Sequence, residues 1–67
     1  MAVQTYTVTG MTCGHCVNAV TEEIGALAGV HEVRVDLASG RVDVDSDQPL
    51  DPGSVRAAVD EAGYQLA

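Results

Sequence analysis

The 67-residue sequence contains no Phe, no Trp and no Lys, and three arginines are its only residues with a permanent positive charge. Ten acidic residues outnumber them and give a formal net charge of −7. The phosphate backbone of a nucleic acid and anionic lipid head groups both repel so acidic a chain. The composition therefore predicts neither nucleic-acid binding nor binding to a membrane surface.

A long apolar run is also missing. No stretch approaches the ~20 apolar residues of a membrane span, and residues 1–6 lack the basic and apolar regions of a secretory signal peptide. These absences predict a cytoplasmic protein without membrane insertion. At this length we expect a single domain, residues 1–67, whose core supplies only about 3–5 kcal/mol of net stability.

Cysteine is scarce, and the two that are present, Cys13 and Cys16, have two residues between them. In a reducing compartment such a pair is more typical of metal binding or redox chemistry than of a structural disulfide. The pair lies where a strand-like pattern gives way to a helical one, so Cys16 should fall in the first turn of a helix. Backbone N–H groups and the helix dipole favour thiolates at that position.

Thiolates are soft ligands, and a pair of them selects Cu(I), with Zn(II), Cd(II) and Hg(II) as competitors. Two ligands suit linear Cu(I) but are too few for a closed tetrahedral zinc site. The other candidate ligand, His31, is predicted to lie at the opposite end of the fold, about 20 Å away. An underfilled site accepts a third thiolate from another protein, which suits delivery of the metal better than storage.

Apolar periodicity predicts four strands. The first covers Val3–Thr9 with Tyr6 and Val8 facing inward, two more form a hairpin over residues 33–45 with Gly40 in its turn, and a short last strand covers residues 64–66. Asp43 and Asp45 alternate with valines on the solvent side of the hairpin, so we interpret these carboxylates as a solvated face rather than a site for a hard cation.

Two helices complete the pattern. One begins within the cysteine motif and is predicted to end at Gly29 in a left-handed cap, and the other runs from an Asp51-Pro52 start to Gly63. The order βαββαβ predicts an α+β, ferredoxin-like sandwich, with a four-stranded antiparallel sheet and both helices on one face. This topology brings three connections to one end: residues 10–16, the hairpin turn and residues 63–64.

The stretch Gly10-Met11-Thr12-Cys13-x-x-Cys16, the element order and Glu61-Ala62-Gly63-Tyr64 together resemble the heavy-metal-associated domain family. The resemblance covers essentially the whole chain. It implies Cu(I) held by Cys13 and Cys16 and handed over by ligand exchange, without enzymatic activity. The family includes cytosolic copper chaperones and the amino-terminal domains of copper-exporting P-type ATPases.

Within that family, Tyr64 and the histidine before the second cysteine, His15, resemble the bacterial chaperone type. That resemblance implies a copper-transporting ATPase as partner, with a copper-responsive repressor as a second candidate. It also implies a monomer without metal and a copper-bridged homodimer as a further form. The residues expected around the metal ligands are Met11, Thr12, His15 and Tyr64.

Several roles remain open from sequence alone. Met11 is interpreted as a residue that packs in the core more readily than as a thioether ligand. His15 could modulate the site, ligate a metal in a shared cluster or be a plain loop residue. Tyr64 could shield the metal or pack its ring at the end of the sheet. Cys-Gly-His-Cys also equals the active-site tetrapeptide of protein disulfide isomerases, so a dithiol oxidoreductase is the enzymatic alternative. Two further alternatives are a metal-binding domain from a copper ATPase and a mercury-binding relative.

Overall fold

A computed structural model describes residues 2–67 and contains the elements in the predicted order. The elements are β1 (Ala2–Thr9), α1 (Gly14–Gly25), β2 (Val30–Asp36), β3 (Arg41–Ser46), α2 (Pro52–Glu61) and β4 (Gln65–Leu66). The strands form one antiparallel sheet in the order β2-β3-β1-β4. The predicted ferredoxin-like α+β sandwich is confirmed. Strand β4 has two residues, one fewer than predicted.

One face of the sheet carries the core. In β1 the even-numbered residues face inward, so Val8 is buried and Tyr6 is half-buried, as predicted. A single cluster joins strand residues to residues of both helices, which places the two helices on the same face of the sheet. Its members are Val8, Val20, Ile24, Val42, Val44, Val55, Ala58 and Val59.

The opposite face of the sheet is polar and carries ion pairs. Asp43 accepts hydrogen bonds from Thr5 Oγ1 at 2.8 Å and from Arg41 Nε at 3.0 Å. These contacts, the Thr5 bond first, lower the pKa of Asp43. Arg34 lies 3.0 Å from Asp45 and also pairs with Glu32. The carboxylates of β3 therefore lie on the outer face, as predicted, but they pair with arginines there and their side chains are only 22% (Asp43) and 21% (Asp45) exposed.

Local sequence chemistry explains both ends of α2. Asp51 is its N-cap and accepts a hydrogen bond from the Gly53 N–H, and Pro52 occupies the first turn, as predicted. At the other end Gly63 has φ = 94°, and the N–H groups of Gly63 and Tyr64 bond to the carbonyls of Asp60 and Val59. This pattern is a Schellman motif, which requires a left-handed residue where Gly63 lies.

The predicted end of α1 at Gly29 is wrong, because the helix ends at Gly25 with Ala26 as its C-cap. Glycine is a poor helix former, and beyond Ala26 the chain tightens into a turn in which the Leu27 N–H donates to Ile24 O at 3.0 Å. Gly29 does have a positive φ of 84°. It uses that conformation in the turn that leads into β2 rather than as a helix cap.

The three predicted connections do meet at one end, which we call the cysteine end: residues 10–16, 37–40 and 62–64. The Val8 N–H donates to Gly40 O at 2.8 Å, joining β1 to the hairpin turn. A Cβ added to Gly10 would lie 3.4 Å from a ring carbon of Tyr64, so the Tyr64 ring packs over the start of the cysteine loop. Within residues 2–67, no helix has the length and apolarity needed to cross a membrane.

Candidate metal centre

The cysteine loop ends directly at α1. Cys13 is the N-cap of the helix and has an extended backbone, with φ = −159° and ψ = 175°. Its carbonyl accepts hydrogen bonds from the N–H groups of Cys16 at 3.0 Å and Val17 at 3.4 Å. The prediction that Cys16 lies in the first helical turn, with Cys13 just before it, is confirmed.

This arrangement brings the two sulfur atoms together without joining them. The Sγ atoms of Cys13 and Cys16 are 3.8 Å apart, and both cysteines are free thiols. Cys13 is exposed, whereas Cys16 is buried with 6% of its surface accessible. One thiol of the pair therefore faces an approaching partner and the other is held inside the protein.

Cys16 also receives most of the polar contacts of the loop. The Thr12 N–H donates to Cys16 Sγ at 3.4 Å, and Thr12 Oγ1 lies 3.9 Å from the same sulfur. The pKa of the Cys16 thiol is lowered to about 6, with the Thr12 N–H as the largest cause and the Tyr64 hydroxyl as the second. The interaction with Cys16 in turn raises the pKa of Tyr64. At pH 7 Cys16 is therefore mainly a thiolate, the form that binds metals.

The remaining residues predicted around the metal differ in position. Met11 is half-buried and packs against the core, which agrees with its interpretation as a packing residue. Tyr64 packs against the core, which agrees with its interpretation as a packing residue, and its role as a shield of the metal stays a prediction. His15 is exposed in the first turn of α1 and lines an open depression of about 450 Å³ with Gly14, Val17 and Asn18.

His31 does not join this group. It is exposed at the start of β2, where it pairs with Asp47. Among residues 2–67, no three His, Cys, Asp or Glu side chains lie close enough together to hold one metal ion. A closed site with four protein ligands, as structural zinc requires, has no counterpart in the part of the chain that the structure describes.

Comparison with known proteins identifies the family. The model of the heavy-metal-associated domain matches residues 5–65, which is nearly the whole chain. The chain belongs to the heavy-metal-associated domain family. The copper chaperone CopZ of Bacillus subtilis is a relative with 40% identity over 68 residues, which cover 100% of this chain and 99% of that protein.

Two further matches show how widely this domain is used. The solved structure of a CopZ metallochaperone superimposes with a TM-score of 0.91 at 30% identity, covering 98% of this chain and all of that one. A probable copper-exporting P-type ATPase of Archaeoglobus fulgidus is 37% identical over 62 residues, which are 91% of this chain but 8% of the ATPase. The heavy-metal-associated domain thus occurs in relatives both as nearly a whole protein and as a small part of a transporter.

Sequence reasoning did not foresee the difference between the two cysteines of this heavy-metal-associated domain. The spacing of the motif gives no reason to distinguish them. In the structure, Cys16 is buried and accepts a hydrogen bond from the Thr12 N–H, whereas Cys13 is exposed. The predicted start of a helix at the motif gave a partial signal, because a residue in the first turn is held more firmly than one before it. The role of Thr12 as a donor to Cys16 had no sequence signal beyond its place in the motif.

Proposed function

We propose that this chain is a cytosolic copper chaperone that binds one Cu(I) ion through Cys13 and Cys16 and transfers it by thiolate exchange. The observation that carries the proposal is the pair of free sulfurs 3.8 Å apart, of which Cys13 is exposed and Cys16 is held in the first turn of α1. The full-length similarity to a copper chaperone supports it. The chain binds and delivers the ion, and we propose no enzymatic activity for it.

The geometry of the pair suits a two-coordinate ion. With metal–sulfur bonds of about 2.3 Å, the length found for zinc thiolates, two sulfurs on opposite sides of an ion are about 4.6 Å apart. The sulfurs therefore need to separate by less than about 1 Å from their present 3.8 Å. Cys13 is exposed at an extended N-cap, so rotation of its side chain supplies this movement while Cys16 stays in place.

Transfer then requires only a change of ligands. A thiolate of the acceptor protein forms a bond to copper from the exposed side, where Cys13 lies, and the thiolates of this chain leave in turn. Copper stays in the +1 state throughout, so no electron acceptor is needed. When Cys16 leaves the metal, the Thr12 N–H and the Tyr64 hydroxyl stabilise its thiolate, and Met11 supports the loop from the core side.

The proposed acceptor is a copper-transporting P-type ATPase, and a copper-responsive repressor is a second acceptor. The net charge of −7 falls by two with both thiolates and rises by one with Cu(I), to −8. A basic docking surface on the acceptor therefore complements this chain. We expect the complex to weaken as salt is added. Without metal the chain is proposed to be a monomer, and two copies sharing copper through their loops form the copper-bridged homodimer.

The test is an anaerobic titration of the reduced protein with Cu(I) in competition with a chromophoric chelator. We expect one tightly bound ion per chain, and Cys13→Ser or Cys16→Ser to weaken binding by several orders of magnitude. His31→Ser, at the opposite end, is the matched control and retains full affinity. Loss of copper from the loaded protein to an ATPase metal-binding domain, followed by gel filtration, tests transfer. A cysteine variant with unchanged affinity would refute the proposed ligands.

A second candidate is a metal-binding domain that belongs to a larger copper ATPase, which the Archaeoglobus fulgidus relative favours. The size of the native polypeptide, measured by immunoblot of cells that produce it, separates the two candidates. The dithiol oxidoreductase is tested with the same preparations. Turnover of a protein disulfide at the rate of a thioredoxin-like enzyme would replace the chaperone proposal.

A further inference from the structure

The charged residues of the chain are distributed unevenly. None of the three arginines and ten acidic residues belongs to the cysteine end, which consists of residues 10–16, 37–40 and 62–64. The imidazole that this end contains, on His15, is of a kind that is neutral at pH 8. The charges that matter when the loop handles copper are therefore those of its own two thiolates.

The charges that flank the cysteine end do not supply a free cation. Arg41 follows the hairpin turn, and its Nε donates to Asp43 Oδ1 at 3.0 Å. Asp60 and Glu61 lie in the last turn of α2, and neither forms an ion pair with another described residue. The unpaired charges next to this end are therefore negative.

The uncharged donors of the loop act on Cys16. The Thr12 N–H donates to Cys16 Sγ at 3.4 Å, and the Tyr64 hydroxyl also bonds to this sulfur. Among the described residues, Cys13 Sγ has a hydrogen-bond contact only with Cys16 Sγ, at 3.8 Å. Negative charge on Cys13, and on a thiolate that approaches it, is therefore stabilised by solvent and by the approaching molecule itself.

Ligand exchange concentrates negative charge at Cys13. With both thiolates on Cu(I) the site already has a net negative charge, and an incoming thiolate that forms a third Cu–S bond increases it. The Cu–S bond to Cys13 then breaks, and this sulfur leaves as a thiolate with its electron pair. Copper stays in the +1 state, so the step needs no oxidant or reductant. The three-thiolate stage is therefore the point at which a cation has the largest effect.

We propose that the copper-loaded loop, acting in the copper-binding function proposed above, passes its ion selectively to thiols that carry a positive charge near the sulfur. This selectivity rests on that function and names the class of acceptor thiol. The cation of the incoming molecule lies beside Cys13 and stabilises the three-thiolate stage by Coulomb attraction. In a protein acceptor it is a Lys or Arg next to the receiving cysteine. An anionic thiol is repelled, so the loop keeps its copper in the presence of such thiols.

This selectivity is local, unlike the attraction of the whole chain for a basic surface. The net charge of −7 is spread over the molecule, and interactions between exposed charges are largely screened beyond about 10 Å at 0.1 M salt. The incoming sulfur and its cation, in contrast, lie next to copper, where screening is weaker. A cation built into this chain beside Cys13 therefore removes the selectivity, and one at the opposite end does not.

Gly14 is the position at which a cation is introduced with least disturbance. It is exposed between Cys13 and His15, and an added Cβ meets no atom within 4 Å. Gly14→Lys places an ammonium group beside Cys13, and Gly14→Gln is its uncharged control. Ala28→Lys makes the same charge change at an exposed position in the turn after α1. This turn is separated from the loop by a helix of 12 residues, about 18 Å long.

The test is copper release from the reduced, loaded full chain to an excess of a chromophoric Cu(I) chelator, promoted by three thiols with the same two-carbon spacer. Cysteamine is cationic, 2-mercaptoethanol is neutral and 2-mercaptoethanesulfonate is anionic. Stopped-flow absorbance at pH 8 and 0.1 M salt gives a second-order rate constant per thiolate. We expect cysteamine to be about tenfold faster than the sulfonate, and this ratio to shrink as salt is added.

The variants separate the local effect from the reactivity of each thiol, which is the same for every variant. Gly14→Lys should bring the ratio of the cysteamine rate to the sulfonate rate close to one. Gly14→Gln and Ala28→Lys should keep the ratio of the unmodified chain.

Counting one bound Cu(I) per chain before the kinetics distinguishes the selectivity from the function on which it rests. A loaded protein that releases copper to all three thiols at equal rates would overturn the selectivity and leave copper binding in place. Equal ratios in Gly14→Lys and Gly14→Gln would overturn it as well, and so would a loss of the ratio in Ala28→Lys as large as in Gly14→Lys, because the overall charge would then cause the preference. A protein that takes up no Cu(I) would overturn both.

Discussion

The two ends of the molecule are held together in different ways. At the end opposite the cysteines, side chains bond to the connecting backbone: Gln4 Oε1 accepts from the Leu50 N–H at 2.7 Å, Ser46 Oγ donates to Gln48 O at 2.7 Å, and Asp51 caps α2. At the cysteine end, three left-handed glycines shape the connections, at Gly10, Gly40 and Gly63, whereas the opposite end has one, Gly29. Side chains also support the hairpin turn, where Asp36 accepts a hydrogen bond from the Ala38 N–H at 3.1 Å.

This difference places the side chains that could bind a metal and many of the side chains that stabilise the fold at opposite ends of the molecule. At the cysteine end each of the three connections contains a left-handed glycine, and the side chains of Cys13, Cys16 and Tyr64 are available to a metal and a partner. At the opposite end, side-chain hydrogen bonds from Gln4, Ser46 and Asp51 support the connections, together with one left-handed glycine, Gly29. Backbone changes should therefore be costly at the cysteine end and side-chain changes costly at the other. The following substitutions test this contrast, from the largest expected loss of stability to the smaller one, and a dependence of stability on pH follows them.

Gly40→Ala should produce the largest loss of stability. Gly40 has φ = 75°, and an added Cβ would lie 2.5 Å from the carbonyl oxygen of Val8. The left-handed conformation alone costs a non-glycine residue about 1–3 kcal/mol, and the contact with Val8 adds to it. Urea unfolding of the reduced, metal-free protein measures the change in the free energy of unfolding.

Gly14→Ala is the matched control at the same end. Gly14 lies in the first turn of α1, and an added Cβ would meet no other atom within 4 Å. Because alanine is a better helix former than glycine, we expect unchanged stability or a gain of up to about 1 kcal/mol. Equal effects of the two substitutions would contradict the claim that backbone geometry at Gly40 holds this end together.

Asp51→Ala tests the opposite end and should have an intermediate effect. It removes the N-cap of α2 and should lower the free energy of unfolding by about 0.5–2 kcal/mol. Asp51→Asn retains a capping oxygen and should restore most of this loss. Copper affinity, measured on the folded protein by chelator competition, should be the same in both variants. A weaker copper affinity in Asp51→Ala would show that the two ends are coupled.

The same contrast explains what the sequence could predict. Asp51-Pro52 and the cysteine pair were recognisable because their chemistry is local: a cap needs one oxygen before a helix, and a two-sulfur site needs one spacing. The end of α1 was placed too late because Gly29 and Gly25 are equally plausible stops in sequence. In the structure the helix ends at Gly25, and the Leu27 N–H turns back to the Ile24 carbonyl at 3.0 Å. The local sequence pattern does not determine which of the two glycines ends the helix.

The unequal environments of the two cysteines could not be predicted for a related reason. Cys16 depends on Tyr64, which is distant in the chain and reaches the loop only after α2 ends in its Schellman motif. It also depends on the exact direction of the Thr12 N–H. A sequence pattern gives the identity and spacing of these residues. It does not show which of the two sulfurs accepts hydrogen bonds from Thr12 and Tyr64.

The last prediction concerns a dependence of stability on pH that comes from Cys16. Its pKa is about 6 in the folded protein and about 9 as an ordinary thiol, so between these values the unfolded chain binds more protons. The free energy of unfolding of the reduced, metal-free protein should therefore rise from pH 6 to pH 9 and lose this contribution as the pH falls through 6. Urea unfolding at a series of pH values, in the presence of a chelator, measures the rise.

Two variants distinguish this effect from other titrations. Cys16→Ser should remove the rise, while all other ionisable groups remain. Tyr64→Phe keeps the ring that packs over Gly10 but removes the hydroxyl, so the Cys16 pKa should increase only part of the way towards its ordinary value, since the Thr12 N–H is the larger cause. Alkylation rates of Cys16 as a function of pH measure that increase. An unchanged pH profile in Tyr64→Phe would mean that the hydroxyl does not stabilise the thiolate, leaving Tyr64 as a packing residue alone.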